Sequence, residues 1–407
     1  MTSATSSHSN RNHAAHKPAA AARTTVLHLT ASLELSHEAR EVVDMCILTH
    51  RAGWRPLIVS NGGSLVLEAE RAAVRHTRVP LTSKNFLTRW RNRMRLDKLI
   101  QRERPVVVHT HGYNAIDIIS KQSVKHHLPL LIDLTEPCPI THSIKKSLQL
   151  AANRGAHFRV PSKYMVKFLK EDLGLKTQYL YHVPPGIDLV WYEAVRVTPE
   201  RINSLYKLWR LPEQSTVVIM ATPFATGYGH HNLLEAMTKL TKDDIYVVLI
   251  GDDKRSPGTR AQIEKQVVTL GLEGKVIMPE NCTDWPAACW LSSLVVAINT
   301  MPRGQAPELL AAQAIGRPVI VSNCGANAEM VLSGETAWVV PPDNEEALLA
   351  ALKESLAMGA SRRIDLAVRT RTFTGKTFPQ EAWRDSIFEL YDGMLRQPAL
   401  SPHSADA

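Results

Sequence analysis

His109 and His111 end a predicted strand in the run VVVHTHG. Imidazoles at a strand end beside a cleft suit proton transfer, and a packed or solvated pair is the plainer alternative. Asp133 and Glu136 close the next strand in DLTEP. Carboxylates there could orient a hydroxyl-bearing substrate, or simply cap a helix N-terminus. Cys138 and His142 are separated by three residues. Without a second pair of ligands that spacing makes no zinc site, so no metal is expected.

A second group of residues suits a surface rather than a reaction. In residues 84–104, Trp90 and Met94 stand four apart, with Phe86 before them and Leu99 and Ile100 after. Arg89, Arg91, Arg93, Arg95, Lys98, Arg102 and Arg104 surround them. An amphipathic basic helix of this kind suits anionic lipid or a lipid-linked substrate, with Trp90, Arg91 and Arg95 as contacts. An ordinary domain helix with a solvated basic face is the alternative. Charge alone would admit nucleic acid, but no motif with interleaved aromatics supports it, and none is expected as a partner.

The elements that must position these residues alternate in type. Short apolar runs at 25–30, 56–60, 106–110, 130–133 and 157–161 read as strands, with helices such as 38–51 between them. The pattern restarts with runs at 216–221, 246–251, 275–278, 294–299, 318–322 and 337–340, separated by helices such as 231–240 and 306–315. That alternation means an α/β chain with parallel sheets covered by helices. The expected organisation is a disordered tail (1–24), a first Rossmann-like domain (25–186), a linker (187–212), a second Rossmann-like domain (213–375), a C-terminal helix packing back (376–397) and a short tail (398–407). The last helix carries Trp383, Ile387, Leu390, Tyr391 and Met394 on one face. Two such domains facing each other bring their strand ends to a shared central cleft, where ligands bind in parallel sheets.

Composition agrees with a mostly globular chain of two or three domains: 407 residues, 44% hydrophobic. The net charge of +9 is uneven, with 28 Lys+Arg against 16 Asp+Glu in residues 1–200. Only the first half is therefore expected to meet an anionic partner. Five cysteines without a CxxC pair suit a reducing compartment. The first 25 residues lack the apolar core of an export signal, and no later run of about 20 apolar residues occurs. A cytoplasmic protein is expected, peripheral at the inner face of the membrane.

Several stretches, in order, resemble glycosyltransferase family 4. Residues 80–112 are similar to the family's basic helix and the strand that ends in a histidine-containing loop. HVPPGID (182–188) resembles its domain junction, and NCTDWPAACWLSSLVVAI (281–298) the helix and strand before its donor site. IGRPVIVSNCGANAEMV and WVVPPDNEEALLAAL complete the pattern. The resemblance covers nearly all of the chain after residue 25. It implies a GT-B fold and retaining, metal-independent transfer of a sugar from a nucleotide diphosphate to a saccharide or lipid-linked acceptor, with no cofactor beyond the donor. It also implies acceptor binding by His109 and His111, a role for Glu329 near the donor and a tight donor-side turn at Gly325. The histidine the family keeps after the strand 130–133 falls at about Thr135, and Asp133 and Glu136 are expected to stand in for it as catalytic residues.

The donor segment departs from the family's pattern. Pro223 and Tyr228 stand where the family has Arg and Lys, and Arg303 and Ala311 where it has two glutamates. A hydrogen bond to a charged group contributes about 1.5–3 kcal/mol. Four such losses approach the roughly 8 kcal/mol of a whole micromolar complex. The expected substitutes are Arg303 and Lys254 on the phosphates, with backbone amides near Gly227 and Gly229. A catalytically inactive partner or scaffold of an active glycosyltransferase is the alternative reading.

Overall fold

The computed structural model describes residues 24–83, 85–114, 116–193, 195–240, 244–254 and 256–396. The two expected tails, Thr24 apart, lie outside these residues, as does Lys84.

Two parallel sheets form the frame. The first holds β1 (Thr25–Leu29), β2 (Arg55–Ser60), β3 (Arg75–Arg78), β4 (Val107–His111), β5 (Leu130–Asp133), β6 (His157–Val160) and β7 (Leu180–His182). Its order is β3-β2-β1-β4-β5-β6-β7. The second holds β8 (Thr216–Ala221), β9 (Ile245–Ile250), β10 (Val276–Ile277), β11 (Leu294–Ala297), β12 (Val319–Ser322) and β13 (Trp338–Val340), in the order β10-β9-β8-β11-β12-β13. The central strands are apolar along their whole length because helices cover both faces: every residue of β1 is buried, as is every residue of β11. These are two Rossmann-like domains facing each other in a GT-B arrangement.

The region read as a linker is largely built into the second domain. The helix Pro199–Leu208 lies within it, and Leu205, Trp209 and Leu211 join that domain's core. The helix Gln380–Arg396 returns to the first domain. Its Trp383, Ile387, Phe388, Tyr391 and Met394 pack with Val26, Trp54, Val107 and Leu131.

The basic helix, Phe86–Glu103, is apolar on two sides rather than one. Leu96, Leu99 and Ile100 face the core, whereas Phe86, Leu87, Trp90 and Met94 are 79%, 61%, 56% and 42% exposed. Leu99 and Ile100, which follow Trp90 and Met94 in sequence, do not share their exposure. Leu99 lies about half a turn from Trp90, whereas Ile100 is about 80° from it and is buried because the core meets the C-terminal part of the helix.

Candidate active site

The wall of the cleft formed by the first domain is a row of polar side chains set by strand register. His28 on β1 is level with His109 on β4, His111 with Asp133 on β5, and Asp133 with Arg159 on β6. Residues level with one another in a sheet point to one face, so the register makes the row. His28, His109, Asp133 and Arg159 are at most 1% exposed. Arg159 Nη1 donates to Asp133 Oδ2 and to Glu41 Oε1, both at 2.7 Å. Glu41 comes from the helix His37–Arg51. Burial alone would raise the Asp133 carboxyl, but the Arg159 guanidinium holds it well below the usual carboxylate range. Burial, then the neighbouring His111, pushes His109 down to about 3. His28 is lowered by the same burial and by both other histidines. Both imidazoles are therefore neutral at pH 7. Tyr391 Oη meets His109 Nδ1 at 2.7 Å, so the C-terminal helix closes the back of the row.

The opposite wall comes from loops after β8, β9, β11 and β12. Gly227 and Gly229 have φ of +86° and +84°. A Cβ on Gly229 would meet the Ile298 carbonyl oxygen at 2.2 Å, so only glycine fits. Gly229 is also the N-cap of the helix His230–Thr238 and supplies no side chain to its first N–H groups. Those amides and the helix dipole make an anion seat. Arg303 stands beside this turn, its guanidinium carbon 5.7 Å from the centre of the Tyr228 ring. It pairs with Glu308 and lies 3.7 Å from Glu136. Burial would lower the guanidinium, but Glu308 and Glu136 raise it, so it stays charged. Arg303 Nε and Glu308 Oε2 have no hydrogen-bond partner among the described residues. Lys254 is exposed and pairs with Asp252 at 3.2 Å.

The two walls touch. Glu329 accepts the backbone N–H groups of Lys163 and Tyr164, both at 2.7 Å, across the cleft. Glu136 accepts the Gly304 N–H at 2.9 Å, and Ser162 Oγ donates to the Gly304 carbonyl at 2.7 Å. Gln305 donates to Glu41 at 3.1 Å. A Cβ at position 304 would lie 2.1 Å from the Thr135 carbonyl oxygen, so this contact requires glycine. Gly325, φ +64°, packs against the backbone of Arg303 at 2.4 Å from where its Cβ would stand. It thereby holds the Arg303 loop rather than offering a surface.

Two family profiles match this chain, one in each domain. "Glycosyltransferase Family 4" matches residues 39–191, and "Glycosyl transferases group 1" matches residues 215–358. The chain belongs to glycosyltransferase family 4. A mannosylfructose-phosphate synthase from Agrobacterium fabrum is 22% identical over 72% of this chain, and the match spans 65% of that relative's length. Among solved structures, a glycosyltransferase from Rickettsia africae superposes with a TM-score of 0.81 at 20% identity, over 93% of this chain and all of that one. Anabaena HepE in complex with UDP and glucose gives 0.80 at 16% identity, over 91% and 100%. A sucrose-phosphate synthase from Thermosynechococcus elongatus gives 0.77 at 17%, over 91% and 99%. These likenesses establish the GT-B architecture.

Within this family member the residues singled out from sequence fall into four groups. His111, Asp133 and Glu136 lie at the first wall, and His109 stands behind them, fully buried. Gly227, Gly229 and Arg303 meet at the second wall, while Lys254 holds a different partner on the β9 loop. Glu329 is occupied by the first domain's backbone. Trp90, Arg91 and Arg95 are exposed on the outer surface. Ala311 is buried in the second core, but Glu308 lies one turn earlier on the same helical face. The carboxylate thus stands in the first turn of that helix, three positions before Ala311. His28 and Arg159 were missed from sequence, and Glu308, lying between Arg303 and Ala311, was set aside as out of register for either glutamate. Their signal was a charged or polar residue inside an apolar run, in TVLHLT, HFRV and APELLAA.

Proposed function

We propose that the protein is an active retaining glycosyltransferase that moves a sugar from a nucleotide-diphosphate donor to a cell-envelope saccharide or lipid-linked acceptor. The diphosphate sits on the second wall, at the amides after Gly227 and Gly229, with Arg303 as its cation. Lys254 reaches the same donor from the β9 loop. Sugar transfer leaves negative charge on the departing phosphate, and a fixed guanidinium beside a helix N-terminus stabilises charge as it develops. Asp133 and Glu136, with His111 facing the cleft, orient the acceptor hydroxyl. The observation that carries this reading is the meeting of Arg303 with the Gly227–Gly229 turn. The expected donor-site cation is supplied from the β11 side instead of the β8 side.

The acceptor reaches this wall from an anionic surface held by Phe86, Trp90 and the exposed Arg91 and Arg95. A groove of about 270 Å³, lined by Arg89, Tyr113, Asn114, Asp117 and Ile144, lies between that helix and the loop after His111. On this reading the protein works at the inner face of a membrane; no described helix is long and apolar enough to cross one.

Incubation with a panel of UDP-, GDP- and ADP-sugars tests the reading. Donor hydrolysis or transfer by one of them is expected, with loss on Arg303→Ala. No turnover and no thermal shift with any nucleotide would refute it. The contacts of Glu329, Glu136 and Ser162 across the cleft favour a second reading, an inactive scaffold for another glycosyltransferase. That reading predicts stimulation of a co-purifying enzyme instead.

A further inference from the structure

The three histidines of the first wall are more than neighbours in a row. One ligand nitrogen from each of His28, His109 and His111 lies within 4.8 Å of the other two. His28 Nδ1 and His111 Nε2 face each other at 3.2 Å. Two ligands of a tetrahedral ion with bonds of about 2.05 Å stand about 3.4 Å apart. That pair already has the spacing an ion would require.

The surroundings orient two of the three rings, His109 and His111, as metal ligands are oriented. A ligating histidine turns its other ring nitrogen to a carboxylate or another polar partner, which fixes the ring and frees the ligand nitrogen. His109 Nδ1 is held by Tyr391 Oη, leaving Nε2. His111 Nδ1 faces Asp133 Oδ2 at 3.6 Å, leaving the Nε2 that faces His28. His109 Nε2 and Asp133 Oδ1 are buried and have no hydrogen-bond partner among the described residues. Leaving buried polar atoms unpartnered is costly, and a cation that takes their lone pairs removes the cost. His111, 10% exposed in its side chain, faces the way in.

We propose that His28, His109 and His111 bind one divalent d-block cation of the zinc class, with Asp133 completing or backing the set. Three imidazoles are borderline ligands that suit zinc over magnesium or calcium, and zinc also accepts a carboxylate oxygen. The ion lies on the acceptor wall, across the cleft from Arg303, so it leaves the diphosphate site untouched. It would tie the end of β1 to the end of β4 and stiffen the wall that receives the acceptor.

The test uses the full chain after chelator treatment and desalting, titrated with zinc chloride against a chromophoric chelator. One zinc per chain is expected, with a raised melting temperature. The variant His111→Gln, checked for folding by its circular dichroism, should weaken uptake by at least a hundredfold. X-ray absorption of the zinc-loaded wild type should show about three imidazole nitrogens and no sulfur, which decides the matter even where the variant fails to fold. Uptake well below one zinc per chain, unaltered uptake by folded His111→Gln, or a thiolate in the coordination shell would each overturn the proposal.

Discussion

Arg303 and Glu308 form an ion pair with side chains 8% and 0% exposed. Removing one partner leaves a buried charge uncompensated, which costs about 3–5 kcal/mol. Glu308→Ala should therefore lower the urea stability of the second domain by that much, while Arg303→Leu with Glu308→Leu recovers most of it. A loss in the double variant equal to the sum of the losses in Arg303→Leu and Glu308→Leu alone would show that the pair is not coupled. His230 is a second residue with a calculable consequence. Burial pushes it down to about 4, with Thr222 Oγ1 at 3.2 Å. An unfolded histidine titrates near 6.5, so between pH 6.5 and 4 the unfolded chain takes a proton that the folded chain refuses. Its contribution is complete above pH 6.5 and falls as pH drops through that window, by about 3 kcal/mol at the lower end. Urea midpoints against pH should fall less steeply for His230→Gln than for wild type, and identical slopes would remove His230 from the account.

At the scale of elements, the outer face of Phe86–Glu103 makes its own prediction. Phe86 and Trp90 are exposed, so replacing both with serine should leave the fold's stability unchanged. Each large apolar side chain gains about 1.5–3 kcal/mol on full burial, and partial insertion of two suffices for a tenfold effect. Binding to vesicles with anionic headgroups at low salt should weaken at least tenfold, as read by co-sedimentation. Unchanged sedimentation would make this an ordinary solvated face. The element scale also decides what could be seen in advance. The central strands were legible because burial on both faces leaves continuous apolar runs such as TVVIMA. β3, with the sequence RHTR, and β7, three residues long, escaped because edge strands need no such run. The site was legible residue by residue but not as pairs. Glu329 with Tyr164 and His109 with Tyr391 are joined across 165 and 282 positions, and only sheet register and domain contact bring them together.

At the scale of the molecule, the chain crosses between the domains twice, and the crossings lie side by side. Ile187 N donates to the Phe378 carbonyl at 2.9 Å, and a Cβ on Gly186 would meet Trp383 Cβ at 2.7 Å. Paired crossings of this kind let two rigid domains turn about one place. The contacts around Gly304 hold them together on the far side. Gly304→Val should forbid that approach, raising the radius of gyration in small-angle scattering while each domain keeps its secondary structure. An unchanged radius would mean that the contact is not what closes the cleft.

The return of Gln380–Arg396 to the first domain has a consequence on the ribosome. Val26, Trp54, Val107 and Leu131 are covered by side chains that emerge about 200 residues after their own sheet is complete. At 5–20 residues per second that face waits roughly 10–40 s for its cover. The first domain to be made is thus the last to be finished. During translation its open flank is the surface a chaperone would be expected to hold.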